Sequence, residues 1–125
     1  MTAHLVAIAA GGSVGALLRY WVSTGVHGLL GRGFPWGTLT VNVLGSAVMG
    51  FLSIWLIERL DVSPEWRAAL MIGLLGSFTT FSTFSVETLG LLEQGELTRA
   101  FLNVFVSVVT CLLAAWAGML IGRTL

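Results

Sequence analysis

Charged and turn-forming residues gather in three short clusters, at Gly31–Pro35, Glu58–Glu65 and Glu93–Glu96. The stretches between them are apolar for long enough to cross a bilayer, which takes roughly 20 residues of helix. This pattern predicts four membrane helices, over His4–Leu30, Trp36–Ile57, Trp66–Leu92 and Leu97–Ile121. Ser63-Pro64-Glu65 reads as the start of the third, with proline at its first position. Gly31-Arg-Gly-Phe-Pro35 reads as a tight polar turn.

Polar positions inside the spans are few and patterned. Gly11, Gly12 and Gly15 give the first span a small-xxx-small face on which another helix can lie closely. Asn42 and Ser46 share one face of the second span, with Gly45 beside them. Asn103, Ser107 and Thr110 form a single polar stripe on the fourth. The third span departs furthest from an ordinary membrane helix. Between Gly73 and Thr88 it holds seven hydroxyl residues, Phe78, Phe81 and Phe84, and Glu87. Gly76-Ser77 followed by Thr79-Thr80 invites the helix to open near mid-membrane, and open backbone at that depth survives only where it is buried in protein or lines a wet path. This stretch is the candidate site.

Composition narrows the class. Of 125 residues 56% are hydrophobic and 10% charged, and the mean hydropathy is +0.93, so a soluble domain is excluded. Four spans fill the chain as a single transmembrane domain over 1–125. All six basic residues are arginines, the formal net charge is zero, and no basic face calls for a nucleic acid. With no basic residues ahead of the first apolar run, that run reads as a retained span rather than a cleaved signal. The single Cys111 reads as a small packing residue.

Charge bias leaves orientation open. Arg59, Arg67 and Arg123 fall on one side of a four-span chain, and Arg32 and Arg99 on the other. One reading is insertion both ways and pairing with an inverted second copy, the intermolecular form of the inverted repeats common in transport proteins. The other is a direction set by factors outside the charge pattern.

The hydroxyls and amides of three spans donate hydrogen bonds without bringing fixed charge, so together they could replace part of a small ion's hydration shell. Singly, each could instead bond back to a helix carbonyl. The phenylalanine row is either packing or a set of rings whose positive edges favour an anion. Arg19 and Glu87 are ionisable groups inside spans, either functional or snorkelling to the headgroups. His4 and His27 lie near span ends and form no ligand cluster.

Gly73-Leu-Leu-Gly-Ser-Phe-Thr-Thr-Phe-Ser-Thr-Phe-Ser-Val-Glu-Thr88 resembles the signature third helix of the Fluc fluoride channels, the CrcB-type proteins. Trp36-Gly-Thr-Leu-Thr-Val-Asn42 and Gly15-Ala-Leu-Leu-Arg-Tyr20 resemble the family's second-helix and first-helix motifs. The resemblance implies an all-α membrane protein that works as an antiparallel, dual-topology homodimer in the inner (cytoplasmic) membrane bilayer. It further implies passive, selective passage of fluoride through two pores, each using both chains. By position, Phe81 and Phe84 would be the rings along the path, with Asn42 holding rings or ion, and Ser82, Thr83 and Ser107 in the polar track, where Thr110 would be a substitute for hydroxyls missing further along. Arg19, Thr38 and Glu87 would belong to a vestibule or gate. A structural sodium ion (Na+) would lie at the dimer centre, on the carbonyls of Gly76 and Thr79. Hard cations take oxygen ligands of this kind. Departures fall on the fourth span. Asn103 stands where some members carry tyrosine, and Cys111 and Ala115 stand where the track has hydroxyls.

Two other classes are weighed against this one. A small proton-coupled multidrug exporter is also short, four-spanning and able to insert both ways, but needs an acidic residue in its first span, where this chain has only Arg19. A non-transporting assembly factor would explain the glycines but not the hydroxyl-rich third span. No nucleophile with a base and no metal-ligand cluster points to an enzyme.

Overall fold

A computed structural model describes all residues, Met1–Leu125. It is all-helical, with four helices long and apolar enough to cross a membrane: Thr2–Leu30, Trp36–Arg59, Pro64–Glu93 and Leu97–Thr124. Each agrees with the predicted span and runs up to three residues further. Hydropathy marks the stretch that suits oil, whereas helical hydrogen bonding continues into the polar flanks. The first helix, α1 (Thr2–Leu30), ends at Gly31, whose φ of 84° only glycine adopts freely. The second is α2 (Trp36–Ile54), continued by a π-helical turn at Trp55–Arg59. The last is α6 (Leu97–Thr124).

The third span is assembled from pieces. It starts at α3 (Pro64–Arg67), where Ser63 Oγ accepts the Trp66 N–H at 3.4 Å and Pro64 fills the first turn. A π-helical stretch, Ala68–Leu75, leads into the short α4 (Gly76–Phe78). Thr79 (φ −85°, ψ 158°) and Thr80 (φ −151°, ψ 117°) are extended, and α5 (Phe81–Glu93) begins after them.

Small residues set the packing. A Cβ on Gly11 or Gly15 would collide with the carbonyls of Ala69 and Leu74, so the glycine face of α1 seats the π-helical stretch. A Cβ on Gly50 or Gly118 would collide with the carbonyls of Ala115 and Ala47, so α2 and α6 meet at backbone distance. The interior is thin. Only 21 of 125 residues are buried, and large apolar side chains such as Trp21, Phe101, Phe105, Leu112 and Trp116 face outward. An apolar exterior of this extent needs lipid or protein against it.

Candidate functional site

The centre of the site is the extended Thr79-Thr80 pair. A continuous helix would give the Thr80 N–H to the Gly76 carbonyl; here it goes to Asn42 Oδ1 at 2.7 Å. The same carboxamide donates from Nδ2 to the Thr80 carbonyl at 3.0 Å. Asn42 thus grips both backbone groups of one residue, as a neighbouring strand would. The Thr83 N–H, which would otherwise serve the Thr79 carbonyl, goes to Thr80 Oγ1 at 3.1 Å and caps α5. Gly76 and Thr79 are therefore left with carbonyls that have lost their helical donors. The neighbouring Ser77 carbonyl accepts from Arg19 Nε at 3.0 Å. Gly45 makes room for the extended pair, since a Cβ there would strike the Thr79 methyl.

Beside this break lies a cavity of about 450 Å³ between α2, α5 and α6. Asn42, Thr79, Phe81, Phe84 and Ser107 share its wall, and no charged side chain does. The two phenylalanine rings are tilted by 39° with centroids 5.4 Å apart. Phe84 is buried at 9% exposure, while Phe81 is 77% exposed and projects from the chain.

Behind the cavity runs a buried polar chain. Ser107 Oγ donates to Asn103 Oδ1 (3.2 Å), Asn103 Nδ2 to Thr88 Oγ1 (2.9 Å), and Thr88 Oγ1 to the Phe84 carbonyl (2.7 Å). Asn103 is 1% exposed. Low dielectric strengthens such a chain and makes every unpaired member costly.

The remaining sequence-predicted residues lie elsewhere. Ser82 is exposed and Thr83 belongs to the α5 cap, so neither reaches the cavity wall of the single chain. Thr110 donates back to the Val106 carbonyl and stays off the wall. Its hydroxyl sits at the edge of the polar stripe, where its own helix is the nearer acceptor. Thr38 Oγ1 donates to the Glu87 carboxylate, which lines a second cavity of about 310 Å³ with His27, Arg32 and Arg99. Arg19 is not there: its guanidinium is held at the break, on Ser77.

Four residues of the site were given no site role from sequence. Thr80 carried a signal, since the Thr79-Thr80 pair marked the opening, yet its hydroxyl proved the one that caps the next helix. Ser46 and Cys111 both line the cavity. Ser46 shares the Asn42 face, and Cys111 entered the sequence reading only as a departure from the hydroxyls of the fourth-span track. Thr88 could have been found only by pairing it with Asn103, fifteen residues away.

Residues 6–119 match the family described as CrcB-like protein, Camphor Resistance (CrcB). Over 125 residues the chain is 56% identical to a protein of Methylococcus capsulatus, covering all of this chain and 55% of that one. It is 49% identical over 116 residues to a protein of Magnetococcus marinus, covering 93% of this chain and 94% of that one. With a protein of Alteromonas mediterranea identity is 56% over 110 residues, 87% of this chain and 86% of the other. All three relatives bear the name fluoride-specific ion channel FluC. The chain spans about half the length of the Methylococcus relative and nearly the whole of the Magnetococcus one. Its four long apolar helices are those of a multi-pass membrane protein. On the match over residues 6–119 and these identities, the chain belongs to the CrcB-like family.

Proposed function

We propose that this chain forms a passive, fluoride-selective channel that lets fluoride leave the cell across the cytoplasmic membrane. It works as an antiparallel homodimer with two pores. The observation that carries this reading is the cavity wall that joins Phe81 and Phe84 to Asn42 and Ser107 with no fixed charge among them. The relatives' shared name points the same way.

The physics suits a small hard anion. A bare charge in a low-dielectric interior costs on the order of tens of kcal/mol, so the path must replace water at every step. Amide and hydroxyl donors and ring edges do so, and the lack of a cation keeps the ion from being trapped. Phe81 and Ser82 point away from the single chain, where an inverted partner at mid-membrane would close the path and place Ser82 and Thr83 along it. In the same reading Thr110 extends the track on α6. Thr38 occupies one Glu87 oxygen, which restrains a carboxylate that would otherwise repel the ion at the path's end. Arg19, held on Ser77, supplies positive potential near the break.

The Gly76 and Thr79 carbonyls fit a hard monovalent cation. Both are oxygen donors freed by the break, and no cluster of His, Cys, Asp or Glu offers a different site. Two from each chain on the two-fold axis would hold sodium, which supplies positive charge that ties the opened helices together. A proton-coupled multidrug exporter is not supported: α1 has no carboxylate, and the chain's relatives are named as channels. The protein is a channel-family member and not an enzyme.

The test is efflux from liposomes followed by a fluoride-selective electrode, with chloride as the comparison anion. Rapid fluoride efflux with chloride retained is the expected result. Absence of fluoride efflux, or equal passage of chloride, overturns the proposal.

A further inference from the structure

The buried chain Ser107–Asn103–Thr88 commits the Ser107 proton inward. Ser107 donates to Asn103 Oδ1, so toward the cavity it presents only lone pairs. An anion there would meet repulsion rather than a donor. Asn103 offers a way out, because its carboxamide has oxygen and nitrogen in nearly the same envelope. Turned by half a revolution, its oxygen faces Thr88 and its NH2 faces Ser107. Thr88 then donates to Asn103 in place of the Phe84 carbonyl. The Phe84 carbonyl keeps its helical donor, the Thr88 N–H within α5, so it is not orphaned. Asn103 donates to Ser107 Oγ, and the Ser107 hydroxyl is released to donate into the cavity.

Given a cavity that carries fluoride, we infer that Asn103 is a positioning residue. Its amide inverts as the ion arrives and turns Ser107 from acceptor to donor. The exchange gives up one neutral hydrogen bond, Thr88 to Phe84, and gains one to an anion. A hydrogen bond to an ionised partner is roughly twice as strong as a neutral one, so the inverted state wins only while the ion is present. Burial favours such a two-state device: Asn103 is 1% exposed, so water does not compete for either end of the amide.

The chain has two asparagines, Asn42 and Asn103, so selective labelling of asparagine side-chain nitrogen gives two readily assigned signals. In the reconstituted wild-type protein, fluoride should shift the Asn103 amide signal, chloride should not, and Ser107→Ala should abolish the shift. No fluoride-dependent shift, or one that survives in Ser107→Ala, overturns the inference. Flux gives the second readout. Ser107→Ala should lower fluoride flux about tenfold or more, the scale of one hydrogen bond to a charged group, whereas Asn103→Leu, which removes the acceptor that commits the Ser107 proton, should lower it by less. The double variant should be no worse than Ser107→Ala alone. Losses that multiply would assign Asn103 a merely structural role. A wild-type protein that carries no fluoride would instead refute the channel reading, an outcome recognisable before any variant is made.

Discussion

Asn42→Leu isolates what holds the third span open. Leucine has the same branched heavy-atom skeleton as asparagine with bulkier ends, so the change removes two hydrogen bonds, of 2.7 and 3.0 Å to Thr80, without leaving a void. Both Thr80 backbone groups lose their partner at once. A buried polar group left unpaired costs about 1–3 kcal/mol. Thr80 is half-buried at the rim of a cavity that admits water, which puts the total near the lower half, about 2–4 kcal/mol. The five tryptophans allow unfolding of the detergent-solubilised protein to be followed by fluorescence against denaturant. Ser13→Ala is the control, since that exposed hydroxyl bonds only to its own helix at Ala9, and should stay within about 0.5 kcal/mol. Fluoride flux should fall with stability in Asn42→Leu, because Phe81 starts directly after the residue that is released. A variant as stable as the control refutes the idea that Asn42 holds the break.

Other variants probe the neighbouring parts. Phe81→Ile or Phe84→Ile should cut fluoride flux sharply while the assembled protein elutes unchanged on size exclusion; full flux in both would remove the rings from the path. Thr80→Val takes away the cap on α5 and should cost about 1 kcal/mol in the same denaturation experiment, a loss not expected if the Thr83 N–H were already hydrated. Gly118→Val sets a side chain against the Ala47 carbonyl and should prevent α2 and α6 from closing, read as loss of monodisperse protein; a well-behaved variant would contradict the backbone contact. Replacing sodium throughout purification by a bulky organic cation should weaken the dimer if the Gly76 and Thr79 carbonyls hold the ion, and an equally stable dimer would dismiss it.

The spans were legible because hydrophobic length is a local property that no tertiary contact overrides. Gly76-Ser77 and Thr79-Thr80 marked where the third span departs from regular helix, since small and hydroxyl residues in oil are costly without a use. What answers that departure was not legible. Asn42 is 38 residues from Thr80, and nothing in its own helix announces that its amide will serve another backbone. The glycines of α1 signalled a close neighbour but not which one, and it is the π-helical stretch ahead of the break. On α6 a regular stripe suggested three equivalent polar residues. Packing divided them: Asn103 and Ser107 join a buried chain, while Thr110 turns back on its own helix.

The break itself need not be strained. Its two residues occupy ordinary extended backbone, and two of the groups it frees find side-chain partners in Asn42 and Thr80. Those two donors are provided for, while their former acceptors, the Gly76 and Thr79 carbonyls, lose the helical bond. In hydrocarbon an unsatisfied backbone group costs several kcal/mol, far more than in water. A chain that left both facing lipid would do better to straighten its helix, because the donors now on Asn42 and Thr80 could then return to them. That the sequence instead supplies those donors with other partners supports the proposed role of these carbonyls as cation ligands. The outward face of Gly76, exposed in the single chain, gives that role a direction: toward whatever packs against this side of the third span.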